Sequence, residues 1–126
     1  MTELLTKSLC ELLPHKTICK DCETDFVGVL GQVDVGFGLV GIKGTNTLNA
    51  GNIHYCKPYL FPLSSMTEEQ KLEYDYLHMV IFLCFEADLC EALAKLQDWL
   101  NENHFDYRGL IPMGLAIDAT NNNPYK

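Results

Sequence analysis

Apolar residues open the chain at helical spacing. Leu4, Leu5, Leu9, Leu12 and Leu13, with Thr2 placed as an N-cap and Glu3 in the first turn, predict an amphipathic helix that Pro14 ends. From Lys16 to Cys56 the pattern changes to short runs of Val, Ile and Phe punctuated by Gly28, Gly31, Gly36, Gly38, Gly41, Gly44 and Gly51. This predicts strands near Thr17–Cys19, Phe26–Leu30, Phe37–Ile42 and Ile53–Tyr55, with turns around Val33–Gly36 and Gly44–Asn49. Lys57 to Ser65 carries Pro58 and Pro62, which lack a backbone donor, and reads as a connector. Thr67-Glu68-Glu69-Gln70 is a capping box that starts a helical half. There Leu72, Tyr76, Met79, Val80 and Leu83 form one stripe, and Leu89, Leu93, Leu96, Trp99 and Leu100 the next. The spacing leaves open one long helix or two broken near Glu86–Asp88. Beyond Asn101-Glu102-Asn103 the pattern predicts a short helix or turn over Phe105–Ile111, a short strand at Leu115–Ile117 and a polar tail from Asn121. The expected architecture is α+β: a short N-terminal helix, a small glycine-rich antiparallel sheet, then a C-terminal helical half. It forms a single domain over residues 1–126, β-rich over about 14–57 and helical over about 67–118.

Composition agrees with one folded domain, since 126 residues hold one core and 48% are hydrophobic against 21% charged. The net charge of −8 is unevenly divided. Residues 1–66 hold 6 acids and 5 lysines, whereas residues 67–126 hold 11 acids against three lysines and Arg108, the one arginine of the chain. This balance argues against nucleic acid and anionic membranes as default partners. The longest apolar run, Met79–Phe85, is far below the roughly 20 residues of a membrane span. No basic segment precedes an apolar run at the N-terminus, so a reducing cytoplasm and free thiols are expected.

Few residue groups suggest chemistry. Cys19-Lys20-Asp21-Cys22 with His54 and Cys56 can be drawn as a Cys3His zinc site, which makes a zinc-stabilised interaction adaptor an alternative reading. On a regular strand, however, His54 and Cys56 would stand about 7 Å apart on one face, which fits a single ion poorly. A thioredoxin-type role for the same pair lacks a βαβ context. Cys84 and Cys90 read as small hydrophobes, and neither His78 nor His104 has an evident nucleophile to activate. Glu68-Glu69 and Glu86-x-Asp88 read as solvated helix faces. Gly36-Phe37-Gly38-Leu39-Val40-Gly41 satisfies G-x-G-x-x-G, but strand and turn rather than a helix follow it. No cofactor motif is present, and an enzyme is the least favoured class.

Three ordered segments carry a resemblance: Leu12-Leu13-Pro14, Lys57-Pro58-Tyr59-Leu60-Phe61-Pro62-Leu63-Ser64-Ser65-Met66-Thr67, and His104-Phe105-Asp106-Tyr107-Arg108-Gly109-Leu110-Ile111-Pro112-Met113-Gly114-Leu115-Ala116-Ile117-Asp118. Together the chain resembles a family of small proteins from Bacteroides-type bacteria and their phages and prophages, with a middle motif K-P-I-L-R-P-L-S-D-L-T and a tail H-F-D-x-x-G-L-I-x-x-G-L-A-I-D. It departs at Phe61 and Ser65, where the family tends to carry arginine and aspartate, so any salt link between those positions is absent here. The resemblance implies a mobile-element accessory protein and brings no catalytic residue with it. The expected function is non-enzymatic: binding a host protein or a small molecule of host defence signalling, as a homo-oligomer in the host cytoplasm. Asp106, Tyr107 and Arg108 are the candidate ligand- or partner-binding residues, because this polar trio adjoins a glycine-hinged turn.

Overall fold

A computed structural model describes residues 2–83 and 86–126; the side chains of Thr2 and of residues 86–88 lie outside the description. The proposed Thr2 cap, Cys84, and the Glu86 and Asp88 side chains therefore fall outside the described residues. Helix α1 (Thr2–Leu12) buries Leu5, Ser8, Leu9 and Leu12 along one side. Full burial of a leucine contributes roughly 1.5–3 kcal/mol, so this face holds the helix to the sheet more firmly than propensity alone could. A single 3₁₀ turn, Leu13–His15, carries Pro14, and Lys16, at φ 53°, redirects the chain.

A meander of five strands follows: β1 (Ile18–Asp21), β2 (Phe26–Asp34), β3 (Leu39–Lys43), β4 (Leu48–Asn52) and β5 (Cys56–Pro62). Sequential neighbours pair antiparallel through β4, and β5 returns to pair with β1, giving the order β4-β3-β2-β1-β5. Strands β4 and β5 thus stand at opposite ends of this order, yet one 3₁₀ turn, Ile53–Tyr55, joins them. The sheet must curl towards a barrel for so short a link to reach. A hydrogen bond of 2.7 Å from Asn49 Nδ2 to the buried Asp21 carboxylate crosses from β4 to β1 and ties the curl. Inside it Cys19, Leu30, Val40, Ile42, Ile53 and Cys56 pack against Leu5 and Leu9 of α1. Gly28 is required on this inner face, because a Cβ there would lie 2.3 Å from the Lys43 carbonyl oxygen.

Two sequence expectations are corrected here. Ile53–Tyr55 is the 3₁₀ link and not a strand, its entry capped by Asn52 Oδ1, which accepts from the His54 N–H at 2.9 Å. The supposed connector over Lys57–Ser65 contains most of β5, with Pro58 opposite Cys19. An antiparallel ladder admits proline at a residue whose N–H position points away from its partner.

The helical half is a hairpin of α2 (Glu68–Leu83) and α3 (Glu86–Glu102). The capping box forms as expected: the Gln70 N–H donates to Thr67 Oγ1 at 3.2 Å, and the Thr67 N–H donates to Gln70 Oε1 at 2.9 Å. The start of α2 meets the end of α3, where Trp99 Nε1 donates to Glu73 Oε2 at 2.7 Å, so the helices run antiparallel. Tyr74, Leu77 and Ile81 face the cluster of Leu96, Leu100 and Phe105. The predicted stripe is a further correction. Leu72, Tyr76, Met79 and Leu83 face outward and are exposed, because α2 is apolar on two sides and the fold covers only one.

The tail then returns to β5 as two short parallel additions, β6 (Phe105–Asp106) beside Phe61–Pro62 and β7 (Ile117–Asp118) beside Tyr59–Leu60, making the sheet mixed. The Tyr125 hydroxyl accepts from the Ile18 N–H at 3.1 Å and donates to the Tyr59 carbonyl at 2.7 Å, bridging β1 and β5 where their ladder ends. Among the described residues no helix is long and apolar enough to cross a membrane.

Candidate functional site

The structure gathers the tail trio beside α1 and commits each member to the chain's own groups. Asp106 is buried, and its carboxylate accepts from the Leu110 N–H at 2.8 Å and the Ile111 N–H at 2.9 Å. It holds closed the turn that Gly109 enters at φ 73°. Arg108 forms an ion pair with Glu11 Oε2 and donates to Ser8 Oγ at 3.1 Å. The same Glu11 oxygen accepts from the Tyr107 hydroxyl and from Gln97 Nε2, each at 3.1 Å. The Arg108 guanidinium also lies 5.1 Å from the Tyr107 ring centroid, in cation–π range. Burial pushes the Tyr107 pKa up, which keeps its hydroxyl a donor.

This knot joins α1, α3 and the tail. Its partners on α1 and α3 were missed by sequence reasoning because Ser8 and Glu11 lie about a hundred positions from Arg108. Their signal was nevertheless present: Ser8 and Glu11 are three residues apart on one helix, and the chain has a single arginine for its acids to compete over. The depression beside the trio, bounded by Ser8, Leu12, Asn101 and Phe105, admits about 10 Å³. That is the room of about one water, against the 300 Å³ or more of a typical small-molecule pocket.

The other motif residues support the same seam. His104, at φ 60°, donates from Nε2 to the His15 carbonyl at 2.9 Å and stacks on Tyr125 with ring centroids 4.2 Å apart. Burial lowers its pKa below the ordinary histidine value. Phe61 joins an aromatic group with Phe105 and Tyr125. Ser65 Oγ donates to the Pro62 carbonyl at 2.6 Å.

The four residues drawn as a zinc site are not assembled into one. Cys19 and Cys56 meet inside the curled sheet, where a hydrogen bond between the two thiols, followed by burial, holds the Cys19 pKa well above its ordinary value. Cys22 is exposed on the following turn, and no group of three His, Cys, Asp or Glu among the described residues is arranged to hold a metal. Cys90 is exposed on α3 rather than filling the core. His78 packs edge-on against Tyr74 at 4.4 Å, and the glycine run Gly36–Gly41 leads into β3 with no helix after it.

The outer face of the curled sheet, opposite α1, has a different character. Ile18, Val29, Lys43 and Leu48 form one cross-strand row, and Lys57, Lys20 and Val27 the next. Gly41, lacking a side chain, leaves a depression of about 170 Å³ between Gln32, Leu39, Leu48 and Ala50. Val27, Val29, Leu39 and Leu48 are all exposed. No family model, no curated protein and no solved structure matches the chain.

Proposed function

We propose that this chain is a non-enzymatic binding protein that engages a protein partner through the outer face of its curled sheet, in the mobile-element accessory role its motifs imply. The observation that carries this reading is the contrast between the polar tail trio and the apolar outer sheet face. The tail trio spends its charges and hydrogen bonds inside the fold, whereas the outer sheet face presents the exposed Val27, Val29, Leu39 and Leu48, with Lys20, Lys43 and Lys57 within its cross-strand rows and Asp34 lining the Gly41 depression. Exposed apolar side chains together with charged ones are the ordinary anatomy of a protein interface. Lys20 is paired with Asp25 at 3.4 Å, so Lys43 and Lys57 are the cations that favour a partner carrying carboxylates, and they would act mainly on association rate and specificity.

The test is affinity purification from lysate of a bacterial host, comparing the wild-type chain with Val29→Asp/Leu48→Asp. Both positions are exposed, so the variant should melt close to the wild type. A defined protein retained by the wild type and lost by the variant is the expected result. Retention by both, or by neither, overturns the assignment to this face. A melting shift of several degrees with any member of a nucleotide second-messenger panel would instead support a small-molecule ligand.

A further inference from the structure

We infer that the outward side of α2 is a self-association surface, on which a second copy of this chain packs antiparallel, α2 against α2. This surface is separate from the outer sheet face and does not depend on the function proposed above.

Leu72, Tyr76, Met79 and Leu83 follow one another at intervals of four, three and four residues, the spacing of a short helix–helix seam. They and Phe82 are between 50% and 88% exposed. With leucine-, methionine- and aromatic-sized side chains, the four stripe residues offer roughly 450–500 Å² on one side of the helix, and Phe82, about a quarter turn round, extends it at one edge, against the ~800 Å² each partner gives up in a standard complex.

The spacing also reads the same in both directions. A two-fold axis passing between Leu77 and His78 sets Leu72 against the partner's Leu83 and Tyr76 against the partner's Met79, which is the self-complementarity an isologous interface requires. Charge selects the direction. The acids of α2, namely Glu68, Glu69, Glu73 and Asp75, all lie in its first half with Lys71 as the one lysine among them, and the segment from His78 to Leu83 has no acid. Parallel packing would bring the two acidic halves together. In the antiparallel register Glu73 and Asp75 lie opposite Phe82 and Val80 of the second copy, and Glu68 and Glu69 lie past the end of its α2, so no acid of α2 faces another. The same acids disfavour an anionic lipid surface as occupant, since interfacial helices carry lysine and arginine beside the apolar face.

Light scattering and sedimentation of the full chain test this, under reductant because Cys10, Cys22 and Cys90 are exposed. At about 100 μM the wild type is expected at twice the 14.2 kDa chain mass. Tyr76→Glu and Met79→Lys, each at an exposed position, should weaken association at least about tenfold while leaving helix content unchanged. The double variant Tyr76→Glu/Met79→Lys should recover association, because the antiparallel register places the introduced acid opposite the introduced base twice. A wild type at single-chain mass, or single variants that associate like it, overturns the interface. A double variant no better than the singles overturns the antiparallel register.

Discussion

Replacing Glu11 by alanine removes the one oxygen on which Arg108, Tyr107 and Gln97 converge. The ion pair is neither open nor sealed, with 16% of the Arg108 side chain and 26% of the Glu11 side chain exposed. Exposed pairs contribute about 0–1 kcal/mol, and breaking a fully buried one costs about 3–5 kcal/mol. A half-way value, supported by hydrogen bonds to a charged acceptor at about 1.5–3 kcal/mol, gives about 2–3 kcal/mol for Glu11→Ala. For a chain of this length that is a fall in Tm of roughly 6–12 °C. Arg108→Ala should cost about 2 kcal/mol, and the double variant about 3 kcal/mol rather than the sum, a coupling of roughly 1–2 kcal/mol. Urea unfolding followed by Trp99 fluorescence reports it well, because Trp99 is the only tryptophan and packs in the cluster beside the knot. If both single variants unfold within about 0.5 kcal/mol of the wild type, the knot is not structural. Arg108 and Tyr107 would then be available to a ligand after all.

Other consequences can be measured in the same way. Burial lowers the His104 pKa, so as pH falls the unfolded chain takes up the proton first. Stability from this group is therefore complete above about pH 6.5 and is lost as pH falls towards the folded value; His104→Asn, which tolerates the positive φ, should flatten that slope in melts between about pH 7 and 5. Tyr125→Phe leaves the Ile18 N–H and Tyr59 carbonyl without their bridge and should cost about 1–3 kcal/mol; hydrogen exchange at Ile18 as slow as in the wild type would refute the bridge. Gly28→Ala drives a Cβ against the Lys43 backbone and should destabilise by about 3 kcal/mol or more, whereas Gly109→Ala, with open space around it, should cost only about 1 kcal/mol of backbone strain. Equal melting of these two variants would contradict the strand packing.

Where sequence and structure agree, local chemistry decides the conformation. Thr67 and Gln70 cap α2 through bonds that span three residues, and the apolar face of α1 is set by its own periodicity. Where they part, distant partners decide. Strand β5 carries two prolines and looks broken locally, but β1, β6, β7 and the Tyr125 hydroxyl all come to it from elsewhere in the chain. The α2 stripe was legible as apolar. Which of the helix's two apolar sides would be covered depended on Trp99, Leu100 and Phe105, and periodicity carries no information about that. The trio Asp106, Tyr107 and Arg108, read from the sequence as ligand- or partner-binding residues, is bonded in the structure to the chain's own groups. Its partners lay on α1 and α3, beyond the reach of any local pattern.

The helical hairpin leaves the strand at Pro62 and comes back to it at once, since the Phe61 N–H donates to the His104 carbonyl at 2.8 Å. Its two ends are therefore already closed upon each other. Lengthening, shortening or exchanging the hairpin at its far end changes no distance that the curled sheet must span, and loop-closure cost grows only slowly with length. The fold is thus arranged as a chassis with an inset arm, whose length can change at the far end while the sheet and the contacts of Gln97 and Leu100 near the arm's base stay fixed. A reporter peptide inserted at that far end should be carried without loss of folding.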